Sequence, residues 1–328
     1  MDIARKIDNY TANDVNKSNN YLYKNNKKSL AEQFRNTLSL QLMVLLPMMI
    51  FIIFHYIPIY GIIIAFQDFK LKEGFWGSQW VGLRNIIDFL NNPKFFVLLK
   101  NTFLLGFYGI LTSTPSAITL ALIINEVQRK YFKKVVQVVT CLPNFLSTVT
   151  VVGMMYLLFS PSGGVVNVII GKLFNTAPIY FTASTKWYRT LFIGSNIWQH
   201  TGFASIYYLA ALAGIDPGLY ESACIDGATR LQRIWYINLP HLVPTAAMLF
   251  ILSMGGVLNV DTSKAILMYN PMNSEVSDVI GTYTYRRGLL MREYSLGASI
   301  GLIMSVVNFI SLVTFNWISR KVVKQSIW

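Results

Sequence analysis

From Leu38 to Phe66 the chain contains no Asp, Glu, Lys or Arg. A helix rises 1.5 Å per residue, so about 20 uncharged apolar residues cross the ~30 Å hydrocarbon core of a bilayer. Five more runs meet that requirement: Thr102–Ile124, Val135–Phe159, Leu191–Ala213, Leu242–Val260 and Ala298–Ile318. The pattern predicts an all-α membrane protein with six transmembrane helices. Pro47, Pro58, Pro115 and Pro143 lie inside these runs, which helix bundles tolerate because neighbouring groups satisfy the freed backbone. Composition points the same way: 53% of residues are hydrophobic and 13% charged, about half the charged share of a soluble domain.

The net charge of +13 does not indicate nucleic-acid binding. The basic residues flank apolar runs instead of striping one face. Their places give an orientation, because Lys and Arg close to span ends mark the cytoplasmic side. Arg35, Arg129, Lys130, Lys133, Lys134, Arg320, Lys321 and Lys324 all fall on one side. Both termini are then cytoplasmic, and residues 67–97, 160–190 and 261–297 face outward, with Trp76, Trp80 and Trp187 as interfacial aromatics. Residues 1–37 form a cytoplasmic tail whose end, Ser29–Gln41, suits an interfacial helix. Residues 38–320 form the six-span domain, and 321–328 a short cytoplasmic tail. The polar first 37 residues and the long first apolar run do not fit a cleavable signal peptide. Cys141 and Cys224 imply no disulfide framework.

The stretch between the fourth and fifth spans, 214–241, is far longer than the roughly 2–8 residues of a plain helix–helix link. Asp216-Pro217 is a helix start, with Asp as cap and Pro at the first helical position. That helix should end at Gly227, which can turn left-handed. A second should begin at Thr229, which has Gln232 at capping-box spacing, and stop before Leu239-Pro240. The whole is a two-helix hairpin outside the membrane.

Glu221-Ser222-Ala223-Cys224-Ile225-Asp226-Gly227-Ala228, followed by Ile237-Asn238-Leu239-Pro240 and Pro244, resembles the EAA motif of binding-protein-dependent ABC importers. The family usually has alanine where this chain has Ser222. The resemblance implies that the hairpin docks on a separate ATPase subunit, with Glu221, Ser222, Ala223, Asp226, Gly227, Ala228, Leu239 and Pro240 as the coupling residues. Small side chains permit close approach, and the Glu221 carboxylate suits a charge-assisted bond to a partner arginine. Further landmarks (Pro58, Gly61, Phe66, Trp80 to Asn85, Asn101 to Phe103, Leu142-Pro143, Trp198 and Ala210 to Leu212) are similar to those of carbohydrate permeases, particularly for oligo- and polysaccharides. This implies a bacterial cytoplasmic membrane location, a second similar permease, two ATPase subunits carrying ATP and Mg, and an external solute-binding protein. No cofactor is expected on this chain.

Polar side chains inside spans are suspects for a substrate path. They are Asn144, Asn196, Trp198, Gln199, His200 and Asn308, with Tyr283 on an external segment. Interhelical bonding is the competing use. External Lys94, Lys186, Arg189, Arg286, Arg287 and Arg292 would suit an anionic sugar such as a uronic-acid oligomer. They would equally suit an acidic binding protein or lipid headgroups. Three histidines without a Cys/His cluster give no metal site. No phosphate-binding loop or hydrolase motif occurs, so energy comes from a partner. A gradient-driven transporter or channel would need buried charge relays, which the apolar runs lack. An intramembrane enzyme would need a clustered site.

Overall fold

The computed structural model describes residues 37–324 and Ser326, so nearly all of the N-terminal tail and most of the proposed interfacial helix lie outside the described residues. Two compact units divide between Gly61 and Ile62.

In the first unit α1 (Leu38–Phe51) passes into a π-turn, Ile52–Tyr56, and a short helical segment, Ile57–Ile59. The π-turn answers Pro58. Proline lacks the N–H for the i−4 carbonyl and its ring collides with that oxygen. Widening one turn relieves the clash, and Ile57 N–H bonds back to the carbonyl of Ile52. Long apolar side chains such as Met43, Phe54 and Ile57 are exposed, as expected of a helix whose solvent is lipid.

The second unit opens with a two-residue antiparallel ladder, β1 (Gln67–Asp68) on β2 (Gln79–Trp80). Helices then follow as α2 (Arg84–Leu90), α3 (Phe95–Asn125), α4 (Lys130–Cys141), α5 (Thr148–Leu158), α6 (Val165–Phe174) and α7 (Thr185–Leu212). After these come α8 (Pro217–Ile225), α9 (Arg230–Arg233), α10 (Leu239–Met254), α11 (Thr262–Met268), α12 (Ser274–Ser277), α13 (Ile280–Thr284) and α14 (Tyr294–Val322). By length and apolarity four helices suffice to cross a membrane among the described residues: Leu40–Phe66, Phe95–Asn125, Arg230–Met254 and Tyr294–Val322. A bent pair, α4 with α5, makes a fifth if it is one span. The 28-residue α7 has the length, but Ser195, Asn196, Gln199, His200 and Ser205 dilute its apolar character.

Two expectations need correction. The third apolar run is not one straight helix: it breaks by 98° between Phe145 and Thr148. Pro143 opens the break in a single 3₁₀ turn, Leu146 is extended, and Ser147 restarts the chain by accepting the Thr150 N–H. Gly202 of α7 sits against this region, where a Cβ would overlap the carbonyl oxygen of Thr140; only glycine lets α4 approach so closely. The second hairpin helix also does not stop before Pro240. It runs from Arg230 to Met254 through a π-turn, Ile234–Asn238, with Leu239 N–H bonded to Ile234 O. As at Pro58, the wide turn lies two residues before the proline, and the helix survives.

The core lies where α7 packs along α3. One cluster joins Leu105, Val151, Met155, Phe181, Tyr188, Leu191 and Phe192 to Ala265 and Met268. Another joins Ala117, Ala121, Tyr208 and Leu212 to Leu242. Polar side chains fix the connecting segments. Asn101 Nδ2 donates to the carbonyls of Glu275 and Asp278 at 2.8 and 3.0 Å, and Thr102 Oγ1 accepts Ile280 N–H at 2.9 Å. The Asn101-Thr102 landmark is thus a clamp on the 274–280 segment. Asn167 does the same for 159–179, donating to Phe159, Ser160 and Ile179 carbonyls.

Candidate functional site

The hairpin forms through the caps written into its sequence. Asp216 accepts Gly218 N–H at 2.9 Å. Gly227 takes a φ of 76°. Ala228 N–H reaches the carbonyl of Ala223 at 2.9 Å and Gly227 N–H that of Cys224 at 3.1 Å, the paired closure of a left-handed helix end. Thr229 and Gln232 complete a capping box. Between the two arms, Arg233 Nη1 donates to the Cys224 sulfur at 2.9 Å.

This hairpin presents a surface and keeps an anchor. Glu221 is exposed and takes part in no ion pair among the described residues. On the same hairpin Ile225 is 87% exposed and Tyr236 80%, with Leu231 and Trp235 also open. Ser222 spends its hydroxyl on the carbonyls of Gly218 and Leu219 in its own helix. It therefore adds bulk without a free donor, close to what alanine would offer. Asp226 and Pro240 are exposed, while Ala223, Ala228 and Leu239 are half-buried. The anchor is Tyr220, packed on the Tyr208–Leu212 cluster, whose hydroxyl donates to Asn238 Oδ1 at 2.5 Å. Burial raises the Tyr220 phenol above its ordinary pKa, which keeps it a donor. Asn238 is fully buried in the π-turn, so this bond ties α8 to the α9–α10 helix.

A second group lies on α7, where Asn196 and His200 share one face by their i, i+4 spacing. His200 Nδ1 lies 2.8 Å from Asn144 Oδ1, beside the Pro143 break. Asn196 Oδ1 accepts a 2.6 Å bond from Lys264 Nζ. Lys264 is fully buried on α11. Burial pushes its ammonium down to about 8, with the Asp261 carboxylate opposing.

The other candidates go elsewhere. Trp198 looks the opposite way, into an apolar groove of about 530 Å³ lined by Val151, Met155, Phe181 and Leu191. Gln199 is buried and donates to the Leu146 carbonyl at 3.0 Å, satisfying backbone freed by the break. Asn308 accepts Leu258 N–H and donates to Asn259. Tyr283 is buried among Phe89, Leu98 and Ile300, with its hydroxyl accepting from Asn92. Of the cations expected on the outer side, Arg286 is paired with Asp278 at 2.6 Å and Arg287 with Glu293 at 2.8 Å. Arg189 donates to Asn101.

The sequence reading missed Lys264 and the Tyr220–Asn238 bond. For Lys264 a signal exists: Asp261 opens a helix whose next residues, Ala265 to Met268, are all apolar, and a lysine there has few ways to reach water.

An exposed, internally braced hairpin on a bundle of long apolar helices is the anatomy of a membrane component that works through a soluble partner. Residues 109–324 match the family of binding-protein-dependent transport system inner membrane components, and the chain belongs to that family. It is therefore a non-catalytic, multi-pass permease component of the inner membrane. The polygalacturonan/rhamnogalacturonan transport system permease protein YteP of Bacillus subtilis (strain 168) is 37% identical, over 88% of this chain and 90% of that one. A chain of a bacterial ABC transporter involved in import of the acidic polysaccharide alginate superposes with a TM-score of 0.81. It is 38% identical, over 89% of this chain and 99% of that chain. A second structure, the alginate transporter in complex with alginate pentasaccharide-bound periplasmic protein, gives 0.81 at 37% identity, over 91% and 99%.

Proposed function

We propose that this chain is one of two permease subunits of an ATP-driven importer of oligo- or polysaccharide, with an acidic, uronic-acid type of cargo. The observation that carries the coupling reading is the hairpin surface. An unpaired Glu221 shares the hairpin with exposed Ile225, Leu231, Trp235 and Tyr236, on a frame braced by two caps and the Tyr220 anchor. Exposed apolar groups of that size outside a bilayer mark a protein interface. The partner is a nucleotide-hydrolysing subunit that carries ATP and Mg, with an arginine for Glu221. Its closure is delivered to the spans as rigid-body movement.

In this reading α7 is a true span whose polar residues face the transport path, so that α1, α3, the α4–α5 pair, α7, α10 and α14 make six. Both termini and the hairpin then lie in the cytoplasm, where the Arg129–Lys134 cluster also sits. The 67–97, 160–190 and 261–297 segments meet an external solute-binding protein. The acidic-cargo reading draws on the named substrates of YteP and the alginate transporter, and on the buried cation behind Asn196.

Glu221→Lys tests the coupling. In the reconstituted complex, substrate-stimulated ATP turnover should fall to the unstimulated level while the permease still enters the membrane. Normal stimulated turnover would sink the assignment. The cargo is tested by thermal stabilisation of the associated binding protein across acidic and neutral oligosaccharides; stabilisation by neutral sugars alone would exclude an acidic cargo.

A further inference from the structure

Among the described residues Lys264 is the one fully buried lysine. Its ammonium donates to Asn196 Oδ1 at 2.6 Å and to the Phe192 carbonyl at 3.3 Å, and sits 5.2 Å from the centre of the Phe192 ring. No carboxylate is within ion-pair distance of it among the described residues. Asp261 spends its Oδ1 on the backbone N–H of Lys264 at 3.0 Å. A cation held only by neutral acceptors in a protein interior is costly.

The bond to Asn196 has a chemical consequence. An ammonium has donors and no acceptor, so the Asn196 amide must turn its oxygen to Lys264. Its Nδ2 makes no bond within the described chain, and the residue is half-buried rather than sealed. One turn along, Asn144 Oδ1 is occupied in the same way. With an oxygen as partner, His200 Nδ1 must carry the proton. Asn144 is thereby also left with its N–H pair. Asn196 on α7 and Asn144 in the facing Leu142–Phe145 turn thus each have their oxygen engaged, while no bond within the described chain occupies their N–H groups. A carboxylate only accepts, whereas a sugar hydroxyl both donates and accepts, so the free N–H groups of Asn196 suit the carboxylate, with the unprotonated Nε2 of His200 the one acceptor beside them. The positive charge behind Asn196 adds to that bias.

We propose that Lys264 is a positioning residue that gives this permease its preference for anionic over neutral sugars, by fixing Asn196 as a donor toward the transport path. The proposal rests on the acidic-carbohydrate reading above. The test uses the complete purified transporter in nanodiscs without binding protein. Its probes are a uronic-acid trisaccharide and the same trisaccharide with its carboxyls reduced to alcohols. Lys264→Met should weaken binding of the acid about tenfold, the low end for one charge-assisted hydrogen bond, and leave the neutral probe within about twofold. Lys264→Arg should keep the preference. Asn196→Ala, which keeps the lysine and its bond to the Phe192 carbonyl, should lose it too and serves if the lysine variants fail to assemble. An unchanged acid-to-neutral ratio in Lys264→Met or Asn196→Ala overturns the proposal, as does an equal loss for both probes. A wild-type complex with no preference for the acid overturns the cargo reading itself, and this inference falls with it.

Discussion

The 216–238 hairpin and the α7 polar face are built in opposite ways. The hairpin is made of near neighbours: Asp216 with Gly218, Ala223 with Ala228, Thr229 with Gln232. The α7 face is made of strangers, with Asn144 meeting His200 across 56 positions and Asn196 meeting Lys264 across 68. The first keeps its shape wherever the local chain folds. The second exists only if the Leu142–Phe145 turn, α7 and α11 are packed together. In the proposed function, a coupling element that must survive repeated docking rests on local bonds, while a filter on α7 depends on tertiary fit.

The sharpest way to break that contrast is to damage the packing. Gly202→Leu drives side-chain atoms into the Thr140 carbonyl, an overpacking worth about 3 kcal/mol or more. Thermal unfolding in detergent should show a large loss of stability and hydrogen exchange should rise around α4 and α7, while protection at Gln232 persists. Equal loss in the hairpin would show that the two regions are not independent.

The next largest effect is a pH dependence. Lys264 has its pKa lowered from 10.5 to about 8 in the folded chain. Between those values the unfolded chain holds a proton that the folded chain lacks, so stability rises with pH through that window. Below pH 8 the full penalty applies, up to about 3 kcal/mol. Lys264→Met should therefore flatten the difference in melting temperature between pH 7.5 and 10. A variant with the wild-type slope would remove Lys264 as its source.

Two smaller changes probe the hairpin alone. Tyr220→Phe strips the partner from Asn238 Oδ1, which is fully buried, at about 1–2 kcal/mol. ATP turnover should lose part of its stimulation with no change in sugar preference. Thr229→Ala removes a cap worth about 1 kcal/mol. Exchange should quicken only near residues 229–233, and a change at His200 would contradict a purely local role.

The same contrast explains what could be read in advance. Caps, a left-handed glycine and proline positions act over a few residues, so Asp216, Gly227 and Thr229 declared the hairpin before any fold was known. The apolar runs declared the helices that carry them. Tertiary responses were not legible. The one-residue widening that carries a helix past Pro240 leaves no mark in the sequence, and the length of an apolar run hides the 98° break after Pro143. Polar residues on α7 could be picked out as a class. Their sorting, with Gln199 capping a carbonyl, Trp198 facing a groove and Asn196 bonded to a lysine, required neighbours distant in sequence.

The π-turn at Ile234–Asn238 also sets an angle. One extra residue in a helical turn rotates everything beyond it by about 100°, since 3.6 residues make a circle. The faces of α9 and α10 are therefore out of phase by that amount, and the azimuth at which the hairpin stands around the long helix is written into a single residue. Deleting one position from 234–238 would leave the caps at Asp216 and Thr229 in place but turn the hairpin out of phase with Asn238, so the Tyr220 anchor would be lost.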